Sequence, residues 1–162
     1  MIEMQIGGLG FDPRNLSPLV LLRDHEEMNF LPIWIGIFEA AAIAMELQNV
    51  KPPRPMTHDL MINFVQSLGG VLKRVLISDV KEGTFFAVVE VEKDGKTLKL
   101  DARPSDAIAL AVRAHVPVFV SEMVMMQAKL VNAEKDEEET KKFKDFIQNM
   151  KPEDFTKYYK KD

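Results

Sequence analysis

Cysteine is absent from all 162 residues, which excludes disulfides and thiolate metal sites and fits a reducing compartment. No apolar run approaches the roughly 20 residues that a membrane-spanning helix needs. The first residues include acidic Glu3 and no basic leader, so no signal peptide is expected and the cytoplasm is the expected location. A surplus of positive charge is missing too: 21 Lys and Arg stand against 25 Asp and Glu, a formal net charge of −4. Nucleic acid would have to be met by a local basic patch, not by the field of the whole chain. Missing as well are a Ser-His-Asp order, a His-Glu-x-x-His zinc motif and a nucleotide-binding glycine fingerprint. Gly7, Gly8 and Gly10 form no phosphate loop, since no Gly-Lys-Ser/Thr follows them. They read as a β-bulge or a close backbone approach.

What is present is the composition of an ordinary globular domain, 46% hydrophobic and 28% charged. Ile2, Met4 and Ile6 alternate with Glu3 and Gln5 as a half-buried strand does. Leu19 to Leu22 and Phe30 to Ile35 read as two further strands. Ile37 to Leu47 is an Ala-rich helix with Glu39 in its first turn. A stiff basic connector, Lys51-Pro52-Pro53-Arg54-Pro55, leads to a second helix capped by Thr57, with His58 and Asp59 in its first turn. Leu60, Met61, Phe64, Val65 and Leu68 make the apolar stripe of that helix, and Gly69-Gly70 stop it. Residues 71–80, 84–92 and 96–102 are strands joined at Glu82-Gly83 and Asp94-Gly95, an antiparallel meander.

The stretch from Lys99 to Val120 organises the rest. Leu98, Leu100 and Ala102 alternate with Thr97, Lys99 and Asp101. Pro104 suits a helix start, Ser105 is the expected N-cap, and Asp106 sits at the positive end of the dipole. From Ala107 to Ala114 the helix is apolar nearly all round, apart from Arg113, and should be buried. A short strand ends at Val120, and Met123, Val124, Met125 and Met126 suit gap-filling core or a subunit contact. The chain thus reads as an α+β domain over residues 1–130, a mixed and largely antiparallel sheet with packed helices. A C-terminal helical tail over 131–162 follows, with Phe143, Phe146, Ile147 and Met150 at helical spacing and Phe155, Tyr158 and Tyr159 beyond Pro152.

Candidate chemistry lies at the ends of elements. His25 sits in an acidic turn and His115 follows a helix, so both read as structural. His58 has Arg54, Asp59 and a helix start beside it, and capping and acid–base work are both open to it. Glu39, Asp59, Asp101 and Asp106 are carboxylates at strand ends or helix starts. If they converge, Asp101, Asp106 and Asp59 would hold a hard cation, Mg²⁺ or Mn²⁺, that activates water and neutralises a phosphoryl oxygen. Arg54 and Arg103 could clamp a phosphate, with Ser105 at the helix mouth. The plain alternative is that Asp59 and Asp106 only offset helix dipoles and that Arg103 pairs with a neighbouring acid.

Three motifs in order resemble the bifunctional nuclease domain family. They are Leu31-Pro32-Ile33-Trp34-Ile35-Gly36 with Glu39-Ala40, Arg54-Pro55-Met56-Thr57-His58-Asp59-Leu60, and Asp101 to Ala111. The resemblance covers about residues 1–130, and the Phe-rich tail with Pro152-Glu153-Asp154-Phe155 is similar to stand-alone bacterial members. It implies an α+β domain, a homodimer, and the nuclease activity on RNA and DNA attributed to plant members. It supplies no catalytic residues, so the roles here come from chemistry. Under the nuclease reading Asp101, Asp106, Asp59 and Glu39 bind metal or activate water, His58 is the acid or base, and Arg54, Arg103 and Ser105 hold the substrate. The alternative is a non-catalytic homodimeric module that recognises an anion or a protein partner, gripping the anion at a helix start.

Overall fold

A computed structural model describes residues 1–133 together with Lys141, Asp145 and Asn149. The amphipathic tail expected around Phe143 to Met150, and the cluster at Phe155, Tyr158 and Tyr159, lie outside the described residues. In chain order the elements are β1 (Ile2–Asp12), β2 (Ser17–Arg23), β3 (Phe30–Trp34), α1 (Ile37–Leu47), α2 (Thr57–Ser67) and β4 (Val71–Lys81). There follow β5 (Thr84–Lys93), β6 (Lys96–Ala102), α3 (Pro104–Ala114), β7 (Val118–Val120) and α4 (Glu122–Ala133).

The strands form one sheet in the order β3-β2-β1-β7-β4-β5-β6. Every neighbouring pair is antiparallel except β4 with β7, which is parallel. This is the α+β architecture that the alternation patterns predict. The glycine-rich start of the chain is a bulge: the β1–β2 register shifts between Ile6 and Gly8, and Gly8 takes φ 146°. Glu82, Gly83, Asp94 and Gly95 all adopt positive φ, the backbone twist that tight hairpins require.

The β4-β5-β6 meander runs into α3, which crosses back over β5 and β4 to place β7 parallel to β4. Seven of the eleven residues of α3 are buried, Ala107 to Ala111 among them, because the helix lies between the sheet and two other helices. Alanine makes this possible. Ala40 and Ala44 of α1 and Ala107 and Ala111 of α3 let helix backbones approach closely, while Ile43, Ile108, Val75, Ile77 and Val89 fill the remaining space.

Three expectations change. Ser105 is not the N-cap of α3: the helix starts at Pro104, Arg103 holds the cap position, and Ser105 is buried in the first turn. Thr57 is likewise the first residue of α2 rather than its cap, which is Met56; the Met56 N–H donates to Asp59 Oδ2 at 2.9 Å. The apolar stripe of α2 also points elsewhere. His58, Ile62 and Val65 face the core, whereas Leu60, Met61, Phe64 and Leu68 are exposed. At about 3.6 residues per turn these two sets lie on different faces, so the helix is apolar on more than the side it buries. The methionines after β7 divide in the same way, with Met125 in the core and Met123 and Met126 exposed.

Candidate active site

A polar row runs along α3 between its two flanking helices. At its N-terminal end Arg103 Nη2 lies 2.9 Å from Glu39 Oε1 of α1 and 2.7 Å from Asp106 Oδ2. Arg103 Nε also donates to Asp106 Oδ2 at 2.8 Å. The other carboxylate oxygen, Asp106 Oδ1, lies 3.0 Å from His58 Nε2 of α2. Glu39, His58, Arg103 and Asp106 thus come from three helices and one strand-to-helix corner and meet at a single point. The Asp106 carboxylate holds Arg103 firmly protonated, and Glu39 adds to this. Arg103 stays 66% exposed, so the cluster opens to solvent on the guanidinium side, while His58 is only 9% exposed and lies behind Asp106.

Gly36 makes room for Glu39. It is the N-cap of α1, and a Cβ there would overlap the Glu39 carboxylate, which folds back over the helix start toward Arg103. Since the obstructed group is the end of a flexible side chain, a larger residue at this position displaces Glu39 rather than the helix.

Two turns further along α3, Arg113 forms the second knot. Its side chain is 8% exposed, Nε donates to Asp59 Oδ1 at 2.8 Å, Nη1 to Ala109 O at 3.0 Å and Nη2 to Ala42 O at 2.9 Å. Partial burial pushes the Asp59 carboxyl up, but the Met56 amide and the Arg113 guanidinium outweigh it and hold the group below its ordinary 3.8. One oxygen of Asp59 thus caps the start of α2, and the other ties α2 to Arg113 of α3, which in turn reaches the Ala42 carbonyl of α1. Sequence reasoning singles out Asp59 for chemistry and overlooks Arg113. The available signal was that Arg113 is the one charge in the otherwise apolar run from Ala107 to Ala114, and a buried charge has to be paired.

The remaining candidates separate. Asp101 lies opposite Val88 in the β5–β6 register, so it points to the sheet face away from α3, whereas Leu100 and Ala102 share the helix face with Val89 and Ala87. Asp101, Asp59 and Asp106 therefore do not meet. Among the described residues no group of three or more His, Asp or Glu is placed to hold a metal ion. The expected Mg²⁺ or Mn²⁺ set does not form from these side chains. Nor do Lys73 and Arg74 join the site: they pair with Glu92 and Glu90 on the sheet. Lys51 and Arg54 line a shallow cleft of about 250 Å³ with Asp59 and Arg113, and Lys51 also pairs with Glu46 at 3.0 Å.

The match to the family model for the bifunctional nuclease domain spans residues 20–133, which contain every residue of both knots. The chain belongs to the bifunctional nuclease domain family. An uncharacterised protein of Mycobacterium tuberculosis is 43% identical over 164 aligned residues, covering 96% of this chain and 98% of that protein. Bifunctional nuclease 1 of Oryza sativa subsp. japonica is 27% identical over 97 residues, 58% of this chain and 29% of the rice protein. Bifunctional nuclease 2 of Arabidopsis thaliana is 28% identical over 108 residues, 65% and 33% respectively. This bifunctional nuclease domain thus aligns with only about a third of each plant protein. No described helix is long and apolar enough to cross a membrane.

Removing the Arg113 side chain from this domain leaves the Asp59 carboxylate and two backbone carbonyls short of a donor. Arg113→Ala is expected to lower the unfolding free energy by roughly 3 kcal/mol in urea titrations. The depressed Asp59 carboxyl contributes stability above its unfolded value of 3.8 and loses it as pH falls through the lower folded value. Wild type should therefore exceed Asp59→Asn in stability at pH 7, with the gap closing below pH 3.8; a gap that does not change with pH would contradict this role.

Proposed function

We propose that this bifunctional nuclease domain hydrolyses phosphodiester bonds of RNA and DNA at the N-terminal end of α3. The observation that supports this best is the meeting of Asp106, His58, Arg103 and Glu39 at one solvent-open point. The family, and the bifunctional nuclease names of the plant relatives, favour the same reading.

A centre that acts on both nucleic acids cannot rely on the 2′-hydroxyl, which DNA lacks, and the nucleophile in this mechanism is water. Asp106, with 25% of its side chain exposed, is the carboxylate in reach of such a water. It accepts the water proton as the oxygen bonds to phosphorus, and His58 behind it shares that proton across the hydrogen bond between them. The ester P–O bond breaks, the leaving oxygen takes up a proton from solvent, and the proton held between Asp106 and His58 returns to solvent. Arg103 offsets the charge that grows on the phosphoryl oxygens, and Glu39 holds the guanidinium in place. Arg54 and Lys51 lie in the cleft at Asp59 and Arg113, where they would meet a more distant part of a bound strand. In this arrangement Asp59 serves structure, and Asp101 and the buried Ser105 take no part. The cysteine-free composition fits work in the cytoplasm.

Purified protein should cleave labelled single-stranded RNA and DNA, assayed with Mg²⁺, with Mn²⁺ and with chelator. Asp106→Ala and Arg103→Ala should each reduce cleavage by about 10²-fold or more. Products should carry no 2′,3′-cyclic phosphate. Full cleavage by Asp106→Ala would remove the site from this role.

The exposed line Leu60, Met61, Phe64 and Leu68 on α2 favours a homodimer as the working form. Phe64→Glu should lower the mass seen by light scattering from that of a dimer to that of a monomer. A monomeric wild type would refute the assembly.

A further inference from the structure

Phe38 has an exposure that neither knot explains. At 84% it is the most exposed of the large hydrophobic side chains described, in the first turn of a well-formed helix. The next residue is Glu39, whose carboxylate contacts Arg103 at 2.9 Å. An aromatic ring therefore stands in solvent one residue from a charge cluster that we read as a phosphodiester site. Its exposed neighbour Ile37 is aliphatic and offers no ring face, and the exposed charge beside both makes this a poor nucleus for a protein interface, whose buried centre is depleted of charged residues. The line along α2 is of the other kind, four apolar side chains in succession. The two surfaces call for different partners.

We infer that Phe38 is a stacking platform for a base of single-stranded nucleic acid whose phosphate lies at Arg103. This rests on the phosphodiesterase reading and names its substrate class. A ring accepts the face of any base, so it binds strands of different sequence. Within a duplex the bases are stacked on one another and present no free face. Glu39 ties the first turn of α1 to Arg103, so the exposed ring of Phe38 in that same turn is an aromatic face available to a base whose phosphate is held at Arg103. The platform thus explains how a chain with net charge −4 retains a polyanion: part of the affinity comes from stacking and does not depend on charge.

The test is binding of fluorescein-labelled ten-nucleotide thymidine DNA, followed by anisotropy, with strand integrity checked on a gel. An abasic strand of equal length and a duplex serve as comparisons. Phe38→Ala should raise Kd for the thymidine strand by about tenfold or more, and Phe38→Trp should keep it near wild type. The abasic strand should bind wild type and Phe38→Ala equally, and the slope of log Kd against log salt should be unchanged. Because the ring is in solvent, Phe38→Ala should keep the wild-type melting temperature. An unchanged Kd for the thymidine strand, an equal loss for the abasic strand, or a change in oligomeric mass would each overturn the platform; the last would assign Phe38 to a subunit contact. Base-dependent binding without cleavage would retain the platform and reject the hydrolytic reading. Cleavage with a Phe38-independent Kd would do the reverse.

Discussion

The fold depends on a charge in a place where charge is costly. Arg113 lies within the helical layer, in contact with α1 and α2, and its guanidinium meets one carboxylate and two carbonyl oxygens. A planar fork with several fixed donors suits three acceptors in different directions, which an ammonium group would not match. The pair also fixes the lateral position of three helices whose alanine-rich faces could otherwise slide. Hydrophobic contact between small side chains is non-directional, whereas hydrogen bonds to the Ala42 carbonyl and the Asp59 carboxylate specify one alignment. That alignment brings Glu39, His58 and Asp106 together around Arg103, nearly three turns away.

Much of the fold was legible because it rests on local signals. Alternation marked the strands, Asp94-Gly95 marked a hairpin, and the apolar run after Pro104 marked a buried helix. The bulge at Gly7 and Gly8 followed from a glycine pair within an alternating strand. Helix faces were less legible. Leu60 and Phe64 are as apolar as Ile62 and Val65, and only the third dimension decides which pair meets the sheet.

The candidate site was legible as a set of residues but not as a geometry. Glu39, His58, Arg103 and Asp106 are spread over 68 positions, and their meeting depends on how α1 and α2 flank α3. Asp101 is instructive, because the information that removes it was already present. If Leu100 and Ala102 face the helices, strand alternation turns Asp101 to the other face. Proximity in sequence to Arg103 and Asp106 outweighed that rule. Asp59 had the converse difficulty: its neighbour His58 belongs to one knot and Asp59 to the other, since adjacent residues on a helix point in different directions.

In the proposed mechanism Asp106 and His58 act as one unit at the start of α3. Groups that work on a single proton lose activity together, so their effects on rate are not additive. A double-mutant cycle on cleavage of one RNA substrate, with His58→Ala, Asp106→Ala and the combined variant, measures this directly. The combined variant should have about the same kcat/KM as Asp106→Ala alone. Independent, multiplying losses, or a His58→Ala enzyme as fast as wild type, would contradict that mechanism.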